Sequence, residues 1–199
     1  MEESGGVSIN SICVFCSSSD SIDDGYVETA KDLGHRIGEL GLELVYGGAS
    51  IGLMGAVARA THEKGGRVIG VIPEFFRKKD ENIEYKEADE LIIAETMRIR
   101  KAIMDGRSDA FIVLPGGIGT LEEAIEIMSM KQLGLTDKPL VFVNTNKFYD
   151  GLITNLRKMV SLKFVKLSTL ESFAVCPDPS SALEFIFSYQ SKKIDSKWI

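Results

Sequence analysis

Between Pro115 and Glu123 the chain reads Pro-Gly-Gly-Ile-Gly-Thr-Leu-Glu-Glu, three glycines followed at once by a threonine and two carboxylates. Glycines where a strand passes into a helix let the backbone come close to a ligand. The first helical amides have no partner within the helix, so they offer donors and the favourable end of the helix dipole to an anion. A phosphate-bearing small molecule suits that arrangement. The alternative is a tight capped turn, because Thr120-x-x-Glu123 has capping-box spacing and Glu123 would then only bond the backbone. Three glycines exceed what such a turn requires. Glu123 and Thr120, three residues apart, project from one side of a helix. Leu121, Ala124, Ile125 and Met128 form the apolar face expected to pack on a sheet, flanked by solvated or loosely ligand-facing Glu122 and Glu126. Glu123 therefore combines a polar face with nearness to the glycines. The helix terminus favours its ionised form by ~0.3–1 kcal/mol, as a general base or a stabiliser of positive charge requires.

Two further stretches carry candidate chemistry. Gly47-Gly48-Ala49-Ser50-Ile51-Gly52-Leu53-Met54-Gly55 is a second glycine-rich junction, but it contains neither G-x-G-x-x-G nor a phosphate-loop Gly-Lys-Ser/Thr. A whole dinucleotide or a triphosphate clamp is therefore not indicated; close helix–sheet packing through Gly52 and Gly55 is the structural alternative. Met97-Arg98-Ile99-Arg100-Lys101 offers a planar donor fork at Arg100, matched to a carboxylate, a phosphate or a purine edge, and a compact charge at Lys101. Taken alone it reads more readily as a solvated basic helix face.

Composition limits the partners. With 44% hydrophobic and 26% charged residues, the 199-residue chain is that of a globular protein with one ordinary domain. A net charge of −6 and the lack of a basic stripe argue against nucleic acid. Arg77-Lys78-Lys79 and Arg98 through Lys101 are short and set among acids, fitting one phosphorylated small molecule. No apolar run approaches the ~20 residues that span a bilayer, and Met1 to Ser11 lacks a signal-peptide pattern. An odd cysteine count argues for a reducing, cytoplasmic compartment. Cys13 and Cys16 form a C-x-x-C, but within an apolar run, so buried strand cysteines are expected rather than zinc ligands. His35 and His62 have no useful metal spacing, and no metal or organic cofactor is expected.

The elements that must position these residues alternate strictly. Expected strands are Ser11–Cys16, Leu42–Tyr46, Arg67–Ile72, Glu90–Ile93, Ala110–Leu114, Leu140–Asn144 and Phe173–Cys176. Expected helices are Tyr26–Leu40, Gly52–Lys64, Thr96–Gly106, Thr120–Leu133, Phe148–Ser161 and Ser180–Tyr189. Such alternation predicts an α/β fold, a Rossmann-like doubly wound parallel sheet with helices on both faces. One domain over residues 1–190 is expected, followed by a frayed tail at 191–199. Phe75–Lys86 is charged and aperiodic and is expected to be a surface loop near the site. Ser17-Ser18-Ser19 and both glycine-rich turns fall at strand carboxyl ends, where ligands of such sheets bind.

In this order the motifs resemble the Lonely Guy family of cytokinin riboside 5′-monophosphate phosphoribohydrolases, proteins often mislabelled lysine decarboxylases. The resemblance runs from Cys13 to about Asp150 and is carried by Val14 through Ser18, Val45 through Gly55, Val71-Ile72-Pro73, Met97 through Lys101, Ser108 through Phe111, Pro115 through Glu123 and Gln132-Leu133-Gly134. It implies hydrolysis of the N-glycosidic bond of an adenosine-type 5′-monophosphate to free base and ribose 5-phosphate. It implies catalytic roles for Arg100 and Glu123, substrate contact at Lys101, and a phosphoribosyl cradle of Gly117, Ile118, Gly119, Thr120, Leu121 and Glu122. Ser18, Gly48 and Ser129 are assigned to substrate binding on the same grounds, with Glu81 standing for a loop glutamate in a loop about two residues longer than usual. A homodimer is implied, with the Arg98–Met104 and Thr120–Leu133 helices as interface elements. Arg98, Ser17, Ala49, Ile118 and Met130 depart from the family pattern, which bears on the base pocket more than on the chemistry. The rival reading is a nucleotide-binding sensor or carrier without turnover. A lysine decarboxylase is disfavoured, because no lysine stands in a recognisable pyridoxal-phosphate context.

Overall fold

The computed structural model describes residues 8–79 and 82–191, so Glu81 and the expected tail beyond Ser191 lie outside the described residues. Seven parallel strands make one sheet in the order β4-β3-β2-β1-β5-β6-β7. They are β1 (Ser11–Phe15), β2 (Glu43–Tyr46), β3 (Arg67–Pro73), β4 (Glu90–Ala94), β5 (Ala110–Val113), β6 (Leu140–Val143) and β7 (Ala174–Cys176). The intervening helices are α1 (Asp24–Glu39), α2 (Gly52–Glu63), α3 (Glu74–Lys79), α4 (Met97–Gly106), α5 (Ile118–Gln132) and α6 (Asp150–Ser161), with α7 (Pro179–Ser188) after the last strand.

The central strands are continuous apolar runs because helices cover both faces of the sheet. Successive side chains point to opposite faces. Ile12, Val14, Leu44 and Tyr46 pack with Leu33 of α1, Val57 of α2 and Ile186 of α7. Cys13, Phe15, Val45 and Phe111 pack with Met104 of α4, Ile127 of α5 and Leu156 of α6. Cys13 and Cys16 are thereby separated onto opposite faces and are free thiols, as is Cys176. Strand order reverses at β1, with β2 on one side and β5 on the other. A crevice opens at such a switch point. No helix among the described residues is long and apolar enough to cross a membrane.

Two elements differ from expectation. The segment expected as a loop begins with α3, whose Lys78 pairs with Glu74 four residues earlier at 3.0 Å and whose Arg77 reaches Glu84 at 2.5 Å. α5 begins at Ile118 rather than Thr120, with Gly117 as its N-cap. Its buried face is Thr120, Glu123, Ala124, Ile127, Met128 and Lys131, whereas Ile125 is exposed. Two charged side chains occupy the face that apolar spacing gave to Leu121 and Ile125, because each finds partners inside.

Lys131 is one of these. Its ammonium donates to the Asp137 carbonyl at 3.2 Å, the Lys138 carbonyl at 2.5 Å and Tyr189 Oη at 3.2 Å. Burial lowers its pKa from 10.5 to about 8, against the opposing pull of Asp137. Below pH 8 both folded and unfolded chains hold this proton, and the folded chain bears the cost of a buried cation. Between the two pKa values only the unfolded chain holds it, so stability rises with pH. Wild type is expected to gain ~3 kcal/mol on Lys131→Met across that interval, read from denaturant midpoints at pH 7, 8.5 and 10. An unchanged difference would mean the lysine titrates normally.

Candidate active site

At the carboxyl ends of β1, β2, β3 and β5 lies a cleft of about 320 Å³. Ser17, Ser18 and Ser19 enter it from the turn after β1, Gly47 and Ala49 from the turn after β2, and Gly117, Gly119 and Thr120 from the turn into α5. Arg100 of α4 and Glu123 of α5 stand within it, and Met54, Ile72, Phe76, Ile83 and Met97 supply apolar walls.

The two glycine-rich helix starts at its rim are not equivalent. At α2 the Gly52 amide donates to Asp20 Oδ1 at 2.7 Å and the Met54 amide to the Ser17 carbonyl at 3.2 Å. Gly52 has φ +57°, and a Cβ there would lie 2.6 Å from the Ser18 carbonyl carbon, so the serine turn closes over this helix end. At α5 no side chain caps Gly117, and the amides of Ile118, Gly119 and Thr120 make no hydrogen bond with any described residue. The end of α5 that borders the cleft is the one able to receive an anion.

Thr120 is the third residue of α5 and not its cap, so Glu123 has no capping role. Glu123 Oε1 accepts from Arg100 Nη1 at 2.5 Å, and Arg100 Nε donates to the Val71 carbonyl at 2.9 Å. Arg100 is 4% exposed and Glu123 5%. Burial raises the Glu123 pKa and outweighs the lowering by Arg100, so its carboxyl titrates above the usual carboxylate range. This corrects the expectation that its ionised form is favoured: the helix terminus adds tenths of a kcal/mol, and desolvation is larger. Burial likewise raises the Cys16 thiol at the cleft floor, which keeps it protonated.

Gly47 makes room for the guanidinium. A Cβ at this position would lie 2.4 Å from Arg100 Nη2 and 2.9 Å from Met54 Sδ. Both are ends of flexible side chains, so the fold can accommodate Gly47→Ala by displacing them. The variant is expected to lose no more than ~1–3 kcal/mol of stability. A ligand turned over through Arg100 is expected to react about a hundredfold more slowly, the scale of a 1 Å misplacement. Parallel melting and turnover measurements check this, and normal turnover in a folded variant would show that Arg100 tolerates the shift.

Of the residues singled out in sequence, the cleft gathers Arg100, Glu123, Gly117, Gly119, Thr120 and Ser18. Lys101 lies just outside, paired with Glu122 and, at 2.7 Å, with Glu126. Ile118 is 83% exposed, Leu121 is half-buried beside the core, Glu122 and Ser129 are exposed, and none of these four lines the cleft. Gly48 sits behind the wall against Ile72 and Val71, and its neighbours Gly47 and Ala49 face the ligand space. Met54 and Met97 lie in the motifs quoted above but, like Phe76 and Ile83, were not assigned to the site. Phe76 and Ile83 stand in the charged aperiodic stretch expected as a surface loop near the site, where nothing marked either side chain as part of the wall.

A family model described as "Possible lysine decarboxylase" matches residues 54–186. The chain is similar to cytokinin riboside 5′-monophosphate phosphoribohydrolase LOG2 of Arabidopsis thaliana, 39% identical over 92% of this chain and 85% of the relative. It is similar to LOG5 of the same plant, 41% identical over 90% of this chain and 78% of the relative. Among solved structures, the molybdenum cofactor binding protein of Rippkaea orientalis shares the fold with a TM-score of 0.69 at 21% identity, over 92% of this chain and 98% of that one. The molybdenum cofactor carrier protein of Chlamydomonas reinhardtii does so with a TM-score of 0.66 at 20% identity, over 92% of this chain and all of the other.

Proposed function

Because the chain belongs to the Lonely Guy family of cytokinin riboside 5′-monophosphate phosphoribohydrolases, we propose that it hydrolyses the N-glycosidic bond of adenosine-type 5′-monophosphates. The observation that carries the reading is the buried Arg100–Glu123 pair beside the open amides of α5. The 5′-phosphate docks on those amides and brings C1′ towards Glu123, so that binding energy far from the bond orients the reacting atoms. Water adds to C1′ as the C1′–N9 bond breaks. The electron pair of that bond leaves with the base, the hydroxyl stays on ribose 5-phosphate, and the proton lost by water returns to the base. Glu123, its pKa raised by burial, is suited to take that proton and hand it on. Arg100, always protonated, offsets negative charge on the departing base.

The wall of Met54, Ile72, Phe76, Ile83 and Met97 suits an apolar substituent on N6 of the purine. Lys101 supports hydrolysis over amine chemistry. Burial acts to lower its pKa, but Glu122 and Glu126 outweigh this and raise it. It is held as an ammonium, whereas a Schiff-base lysine must be neutral. α4 exposes Ile99, α5 exposes Ile118 and Ile125, and Leu133 at the C-cap of α5 is exposed as well, and we read these two helices as the seat of a second copy. Incubation with isopentenyladenosine monophosphate and with AMP, followed by chromatography of the free base, tests the activity. Tight nucleotide binding without base release would instead establish a carrier.

A further inference from the structure

We propose that His62, which does not touch the cleft, is a positioning residue for it: it pins the segment 82–85 whose Ile83 forms part of the apolar wall. The inference rests on the reading of the cleft as a nucleotide site. His62 lies in the last turn of α2, with Nδ1 2.9 Å from Tyr85 Oη and Nε2 2.9 Å from Asp89 Oδ2. With its proton on Nε2, the imidazole donates to Asp89 and can accept the tyrosine O–H, for which the Glu87 carboxylate is a second acceptor. Asp89 is itself fixed, because the same Oδ2 accepts the Val68 amide of β3 at 2.8 Å. The imidazole thus ties Tyr85 to the sheet.

Tyr85 passes the restraint to the cleft. It is buried, and its amide donates to the Gly48 carbonyl at 2.9 Å. The Ser50 amide donates to the Ile83 carbonyl at 2.7 Å, and Glu84 bridges to Ala49, so 83–85 runs as a short antiparallel pairing along the turn after β2. The other attachment of Glu84 is Arg77, next to Phe76 on the same wall. Besides the two backbone bonds, the exposed bond from the Ser50 hydroxyl to the Asn82 carbonyl at 3.0 Å and the partly exposed ion pair lie towards solvent, where such contacts restrain a segment less than a buried side chain does. The Tyr85 side chain, anchored through His62, is its buried attachment. Releasing it leaves Arg100 and Glu123 in place but obliges an incoming base to order its own wall, a cost that falls on binding.

Amide hydrogen exchange and steady-state base release on wild type, His62→Ala, Tyr85→Phe and His62→Gln test this. In His62→Ala, exchange at 82–86 should quicken and KM for isopentenyladenosine monophosphate rise, each about tenfold, with kcat changed less than about threefold. Tyr85→Phe should move both in the same direction while keeping the ring. His62→Gln should restore them, since its amide can donate to Asp89 and accept from Tyr85. Wild-type exchange at 82–86 in His62→Ala, or a fall in kcat at constant KM, would overturn the proposal. If even wild type released no base, the functional reading would fall, while the exchange pattern and its rescue by glutamine would still decide whether His62 pins the segment.

Discussion

Glu123→Gln is expected to reduce base release by about three orders of magnitude while leaving KM within a few-fold, because it removes a proton acceptor and a negative charge but little volume. Glutamine can still accept the hydrogen bond from Arg100 Nη1, so the local geometry survives. It can neither take a proton from water nor offset positive charge at C1′. The pH dependence gives a second signature. The wild-type carboxyl titrates above its ordinary value of 4.5, so the activity of the ionised form should fall with decreasing pH at a point higher than a solvent-exposed glutamate would give. The residual activity of the variant should show no such limb. A variant retaining more than about a tenth of wild-type kcat would remove Glu123 from the chemistry, and the site would then be one of binding.

The reason this residue stood out in sequence, and the reason its surroundings did not, are physically different. Glycines before Thr120 and Glu123 declare a strand–turn–helix junction through local backbone chemistry alone. The seven strands were legible for the same kind of reason: Ile12 through Phe15 and Phe111 through Val113 are continuous apolar runs with no other place to go. The start of α5 lies two residues before the expected one because Gly116, Gly117 and Gly119 around Ile118 favour a turn and Thr120 has the cap-forming side chain, whereas Gly117 is the cap. The burial of Glu123 depends on Arg100, 23 residues earlier, crossing beneath Gly47. No local pattern encodes such a contact. Phe76 and Ile83 were hidden for a related reason: they face the cleft only because Glu84 and Tyr85 stitch that segment to Gly48 and Ala49. The glycine-rich side of the cleft is built by motifs, and the part of its apolar wall given by Phe76 and Ile83 by tertiary contacts.

Arg100→Met should cost ~3–5 kcal/mol of stability at neutral pH, the usual penalty for leaving a buried charge without its partner, as well as abolishing turnover. The loss has a pH signature that follows from Glu123. Removing Arg100 removes the influence that lowers the Glu123 pKa, so burial drives it higher still. A carboxyl whose folded pKa is raised contributes stability that is fully present below its unfolded pKa and lost as pH rises through the folded one. Arg100→Met should therefore lie nearest wild type at about pH 4–5 and furthest from it above neutrality. The double variant Arg100→Met/Glu123→Leu carries neither charge into the interior. It should recover most of the lost stability, apart from ~1 kcal/mol for the Val71 carbonyl that no longer receives the arginine Nε, and should remain inactive. Denaturant midpoints for wild type, both single variants and the double at pH 5 and pH 7.5 complete the cycle. A double variant as unstable as the sum of the singles would show that the pair is not what holds this end of the sheet together. A stable, inactive double variant would show that the chain keeps its buried ion pair for chemistry and not for folding.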